Sequence, residues 1–275
     1  MDLFVQSLTN MSSDITVVGP ASKKQKLEEP LEQGYFYSLQ AKEEEYAWKI
    51  VPKKNLKEFF QVWIIAQRLK FSALARITSF VNYPITGDSI AKMDCKGETL
   101  YKTLKTRGPF LEKEARAYIQ HLTAAVCLLN DCKIAVRNLS LSHVVIKKEC
   151  IPGDKIGLTA IIADLTGARV FDSLDVPREQ CIASLGYFPP EAHRQEPLSL
   201  RACDAWSLGV ILYAMLVGKY PTLKNGKFNP CCQIDFPDSL SQEAAEVLKG
   251  LLEQDPKKRL STFQVLNSAW IQNRK

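Results

Sequence analysis

The chain lacks what several function classes need. None of its eight cysteines, at 95, 127, 132, 150, 181, 203, 231 and 232, forms a C-x-x-C pair, and no second Cys or His pair stands at ligand spacing, so a zinc site is unsupported. Most lie in apolar or mixed segments, as reduced intracellular thiols do, and only the vicinal Cys231-Cys232 suggests an oxidant sensor. No apolar run approaches the roughly 18 residues of a membrane span. The opening MDLFVQSLTNMSSD has no basic region followed by an apolar one, which excludes a secretory signal. The net charge of +6 has no clustered stripe of Lys and Arg, so a general nucleic-acid surface is excluded as well. Internal repeats and low-complexity tracts are absent.

What is present suits one domain with a full core. The 275 residues are 46% apolar and 24% charged. Residues 1–28 are polar and without period, and read as a flexible leader. Residues 29–94 carry short strand-like runs and one helical stretch, about Leu56 to Leu69. From 97 to 272 the pattern turns helical. In Glu112–Leu129, apolar residues from Ala115 to Leu129 recur at three- and four-residue steps, the stripe of a buried helix. The segment 204–217, DAWSLGVILYAMLV, is apolar nearly all round and predicts a central helix with Asp204 as its N-cap. Strand-like runs 144–148 and 158–163 come between them, the second ending at Asp164. Another amphipathic helix is expected at about 241–253, closed by Asp255-Pro256.

Six segments, in order, resemble the motifs of a eukaryotic protein kinase domain. YAWKI (46–50) resembles the strand with the ATP-orienting lysine, and AVRNLSLSHVVI (135–146) the catalytic loop, usually H-R-D-L-K-x-x-N. IIADLTG (161–167) resembles the metal-binding D-F-G strand and turn. SLGYFPPEA (184–192) looks like the A-P-E end of the activation segment. DAWSLGVILYAML (204–216) resembles the central helix, and DPKKRLS (255–261) carries the arginine that usually pairs with the A-P-E glutamate. GPFLEKEARAYIQHLTAAV, MLVGKYP and the run 236–271 are similar to the calmodulin-dependent kinase group, and VRNLSLSHV shares the rhythm of tribbles-like proteins. The resemblance implies an α+β, two-lobed protein-kinase-like fold, with a small β-rich lobe over about 29–94 and a larger helical lobe over about 97–272. It places Lys49 on the nucleotide, Asp164 on a metal ion, and Arg137, Glu191, Asp204 and Arg259 in the architecture.

Set against what phosphoryl transfer needs, the resemblance is incomplete. Aligned on Lys49, the segment LEQGYFYSL (31–39) keeps Gly34 but has Glu32 and Tyr37 at the other glycine positions, and a carboxylate there repels a triphosphate. The carboxylate partner of Lys49 falls at Gln61 or Val62, with Glu58 one turn early. Asn138 stands where the catalytic base belongs, and base catalysis contributes about 10²–10⁴-fold. His143 replaces an asparagine ligand of a second Mg²⁺, an ion that prefers oxygen, although it is also a candidate substitute base. Ser140 replaces the loop lysine. Thr166 replaces the D-F-G glycine, with Gly167 one residue later able to restore backbone freedom.

These losses predict a pseudokinase, not an enzyme, acting as an adaptor, scaffold or regulator that binds other proteins: active kinases, substrates or ubiquitin-ligase components. No cofactor is required, with ATP and Mg²⁺ weakly held at most; no nucleic acid and no membrane is expected as a partner. Lys49 and Asp164 keep two alternatives open, a weak or atypical Ser/Thr kinase and an ATP-binding conformational sensor. The apolar Val136 and Leu165 preserve a packing column. Arg137 is placed to pair with a phosphorylated residue such as Ser173 or Ser184. A remodelled partner surface is expected at 222–235. The tribbles resemblance implies a C-terminal tail that recruits a ubiquitin ligase, and none is seen before Lys275. PASKKQKLEEP (20–30) resembles a short nuclear import signal, so the expected location is the nucleus, the cytoplasm or both.

Overall fold

A computed structural model describes residues 15–18, 36–41, 44–51, 53–82, 87–95, 97–151, 155–173, 175–176, 183, 186–193, 198–221, 223–224, 227–228 and 234–272. Gly34, the basic run at 23–26, Cys181, Ser184 and Cys231-Cys232 lie outside the described residues, as does most of 222–235.

The small lobe is an antiparallel sheet with one helix. Its strands are β1 (Ile15–Val18), β2 (Phe36–Ala41), β3 (Glu44–Val51), β4 (Arg76–Asn82) and β5 (Ser89–Asp94), in the order β1-β2-β3-β5-β4. β1 falls inside the stretch expected to be a structureless leader. Its sequence, Ile15-Thr16-Val17-Val18, is a β-branched run that suits a strand, and it pairs with 38–41 of β2. Helix α1 (Leu56–Leu69) follows β3 and turns Phe59, Val62 and Ala66 inward. Phe59 joins Val51 and Ala91 in a small apolar core.

In the large lobe β6 (Glu98–Thr99) leads into α2 (Leu100–Arg107) and then α3 (Glu112–Asp131). The apolar stripe of α3 is buried along its length, from Ala115 through Tyr118, Ile119, Leu122 and Val126 to Leu129. β7 (Ile134–Ala135), β8 (Val144–Ile151), β9 (Lys155–Ile162) and β10 (Arg169–Val170) follow. The β8–β9 hairpin delivers Asp164 at its end. There Ile162 N donates to Ala73 O and Ala75 N to Ile162 O, which stitches the two lobes together just before the functional site.

Helix α4 (Leu200–Val217) runs through the centre of the large-lobe core. It begins four residues earlier than the sequence predicts, with Ser199 at the N-cap, so Asp204 is an interior residue whose carboxylate serves the loop below instead of the helix end. By length and composition alone α4 is long and apolar enough to span a membrane, but 83% of that stretch is buried inside the protein, as in a core helix. It meets α5 (Gln242–Leu251) closely: a Cβ at Gly209 would stand 2.9 Å from Leu251 Cβ. Short helices α6 (Thr262–Leu266) and α7 (Ala269–Gln272) complete the lobe. Cys95, Cys127, Cys132 and Cys203 are free thiols, and burial pushes that of Cys95 up to about 12, which suppresses its reactivity.

Glu112, in the first turn of α3, ties these parts together. Its carboxylate accepts from Ser241 N and Oγ, at the N-cap of α5, and from Trp270 Nε1 in α7, at 2.6–3.1 Å. Partial burial pushes this carboxyl up, but the donors from Ser241 and Trp270 outweigh it and hold the group below its ordinary value of 4.5. A lowered folded value means that this stability is present in full above about pH 4.5 and is lost as the pH falls through the lowered value. Melting temperature is therefore expected to fall below about pH 5, and Glu112→Gln to remove part of that fall. A Glu112→Gln profile that overlays the parent's would show that other groups carry it.

Candidate functional site

The loop 136–143 is shaped by one buried carboxylate. Asp204, 1% exposed, accepts from Val136 N at 3.0 Å, Arg137 N at 2.8 Å and Asn130 Nδ2 at 3.0 Å. Burial pushes its carboxyl above the usual range, against the pull of Asn130, the two loop amides and the Arg137 charge. The same loop holds Arg137 at φ 64°, a left-handed conformation costly for a residue with a Cβ. The hydrogen bonds that the loop amides donate to Asp204 keep the chain there. Tyr187 adds a second anchor, its hydroxyl accepting from Leu141 N at 2.9 Å.

Asp164 lies beside this loop, 4% exposed. Its Oδ1 accepts from Thr166 N at 2.8 Å and from Thr166 Oγ1. Its Oδ2 faces His143 Nε2 at 3.4 Å, and His143 Nδ1 donates to Asn138 O at 2.8 Å. His143, only 1% exposed, is thus held between Asp164 and the Asn138 backbone, and this burial argues against its use as a substitute base. Ser140 Oγ is fully buried, without a hydrogen-bond partner among the described residues. Gly167 does not adopt a positive φ, so it does not supply the backbone freedom that the sequence suggests. It is needed for closeness instead: a Cβ there would stand 2.8 Å from Asn138 Cβ.

Lys49 sits on β3, in register between Phe36 of β2 and Ala91 of β5. Of the candidate partners on α1, Val62 is buried and Gln61 exposed. Glu58 Oε2 has no hydrogen-bond partner among the described residues. The packing column from Val136 and Leu165 into the large-lobe core is formed. Glu191 and Arg259 make a two-toothed ion pair, Nη1–Oε1 at 2.6 Å and Nη2–Oε2 at 2.8 Å, with the guanidinium over the Trp206 ring. Arg137 Nε donates to Gly167 O at 2.8 Å, and its guanidinium lies 5.5 Å from the Phe171 ring.

Whether these residues suit Mg²⁺ turns on their oxygen donors. Asp164 is a buried carboxylate, which suits an ion usually held by one or two carboxylates plus phosphate and water. His143 offers nitrogen where a second ion would need oxygen. Among the described residues, no group of three or more His, Cys, Asp and Glu is gathered to hold a metal. Among the described residues these donors suit at most a single Mg²⁺. Tyr187, Asn130 and Arg169 contribute to the site without having stood out in the sequence, and Thr166, noted there only as a lost glycine, contributes as a donor to Asp164.

A family model described as the protein kinase domain matches residues 34–271. The Aurora kinase of Debaryomyces hansenii is 27% identical over 98% of this chain and 66% of its own length. Serine/threonine-protein kinase 33 of Bos taurus is 27% identical over 64% of this chain and 38% of its own. A probable myosin light chain kinase of Dictyostelium discoideum is 31% identical over 64% of this chain and 56% of its own. The chain thus spans between 38% and 66% of the length of these relatives. They overturn the expectation that the chain is not an enzyme, because the domain it matches belongs to proteins named as serine/threonine kinases. The physical reason is that phosphoryl transfer depends mostly on positioning and charge, so loss of a base slows it without removing its basis.

Removing the Asp204 carboxylate strands three buried N–H groups. Asp204→Ala is expected to cost about 3–5 kcal/mol in chemical denaturation. Asp204→Asn keeps one accepting oxygen and should cost less. A loss below about 1 kcal/mol for Asp204→Ala would mean that the loop holds its shape without it.

Proposed function

The chain belongs to the protein kinase family, and from that premise we propose that it is a slow, atypical serine/threonine protein kinase. It binds ATP with a single Mg²⁺ and transfers the γ-phosphoryl group to a hydroxyl on a partner protein. The observation that carries this reading is Asp164: a buried carboxylate at the end of the β8–β9 hairpin, held through Oδ1 by Thr166 and lying beside the loop that carries Asn138 and His143. In it the site keeps the negative oxygen that a nucleotide-bound cation needs.

Asp164 and Lys49 bind and orient the nucleotide, the first through the cation and the second from its place on β3. Mg²⁺, when bound, neutralises charge on the phosphates. Asn138 supplies an amide able to orient the attacking hydroxyl but not to take its proton at neutral pH, so the proton leaves to solvent or phosphate. Protein kinases turn over at about 1–100 per second, and loss of a base costs about 10²–10⁴-fold. The expected turnover is on the order of 10⁻⁴ to 1 per second, slow but measurable. Low affinity for ATP also follows from a glycine loop with Glu32 and Tyr37 at two glycine positions.

The test is incorporation of label from γ-labelled ATP into a generic protein substrate and into the chain itself. Wild type is expected to show slow, Mg²⁺-dependent incorporation. Asp164→Ala should abolish it, and Asn138→Asp should raise it about 10²-fold by restoring a base. No incorporation by wild type, or equal incorporation by Asp164→Ala, would reject this function.

A further inference from the structure

In a kinase-like layout, the helix of the small lobe usually reaches the nucleotide site through a carboxylate. Here the positions expected to supply it are Gln61, facing solvent, and Val62, facing the core. A different route connects the same two parts. Asn55 precedes α1 at its N-cap, where an asparagine oxygen ordinarily accepts from an amide of the first turn. In this protein it makes no such cap, and its φ and ψ of −107° and −4° are those of the helical region instead of the extended one. Asn55 Oδ1 instead accepts from Arg169 Nη2, 114 residues away, at 3.3 Å.

Arg169 lies on β10, which packs against α1. Its other terminal nitrogen, Nη1, donates to Thr166 O at 2.9 Å and Ala168 O at 2.7 Å. Thr166 in turn donates both its N–H and its hydroxyl to Asp164 Oδ1. An unbroken series of hydrogen bonds therefore runs from the start of α1 through Arg169 and Thr166 to the Asp164 carboxylate. Helix α1 forgoes a local cap to make the first link, and the planar guanidinium spans two backbone carbonyls and a side-chain amide at once, which a lysine cannot do.

We infer that Arg169 is a positioning residue that couples the placement of α1 to the orientation of the Asp164 carboxylate. The inference deepens the proposed function and rests on it for the role of Asp164, but the coupling itself is a property of the protein without nucleotide. Pushing α1 away from β10 releases Arg169, Thr166 and Asp164 in sequence, so a partner that moves α1 alters cation binding.

Hydrogen exchange on the nucleotide-free protein tests the coupling directly. Asn55→Ala and Arg169→Gln are expected to speed exchange of the Thr166 amide about tenfold, while α4 stays unchanged; Arg169→Lys should fall with the Gln variant. Lys102→Ala, which removes a surface pairing with Glu98, is the control and should leave 162–171 unchanged. Unchanged exchange at Thr166 in Asn55→Ala overturns the inference, whether or not ATP binds. A second measurement follows thermal stabilisation by ATP as Mg²⁺ is titrated. Loss of outer-shell partners typically weakens metal binding about 10–100-fold, and the Mg²⁺ midpoint should rise by that order in Asn55→Ala at unchanged nucleotide-free melting temperature. An unmoved midpoint counts against the inference. Absence of any Mg²⁺-dependent stabilisation in wild type would instead defeat the functional reading, and exchange at Thr166 would still decide the coupling.

Discussion

The structure depends on a carboxylate that no solvent reaches. Asp204 stands inside α4, the most buried helix of the protein, and accepts from two consecutive amides of the loop that carries Asn138 and His143. A buried carboxylate is costly unless its lone pairs are filled, and a positive φ at Arg137 is costly unless something holds it. Each cost is offset by the other partner. Asn130 completes the set from α3, so three elements meet at one side chain. The Glu191–Arg259 pair does similar work on the far side of Trp206, with both charges filled by hydrogen bonds.

From that fixed loop the chemistry of the site follows. His143 occupies the place of an oxygen ligand but is held between the Asn138 carbonyl and Asp164. Buried there, it adds no accessible base. In the proposed function Asp164 is the carboxylate for the nucleotide-bound ion, and the replaced residues act in one direction, toward slower transfer.

Much of this was legible in the residues. The period of α3 and the all-round apolar character of α4 follow from burial, which composition records directly. The partners of Glu191 and Asp204 were visible only because their motifs carried a resemblance to a family; neither spacing nor hydropathy marks residues 68 apart as neighbours. Asp204 looked like an N-cap because an acidic residue ahead of an apolar run has that local meaning, and tertiary hydrogen bonds overrode it. Gly167 looked like a source of backbone freedom, whereas it answers to the close approach of Asn138 Cβ. The Asn55–Arg169 contact left no signal at all, since each residue is unremarkable in its own segment.

The expectation of a protein without activity came from counting absent groups, and kinship with serine/threonine kinases directs attention to what the remaining groups can do. A cation held by Asp164 alone is the central claim, and metal stoichiometry tests it most directly. Mn²⁺ titrated into the protein with a non-hydrolysable ATP analogue, followed by paramagnetic resonance, is predicted to bind at one equivalent per chain, a site lost in Asp164→Ala. Two equivalents at the nucleotide, or one that survives Asp164→Ala, would contradict the account.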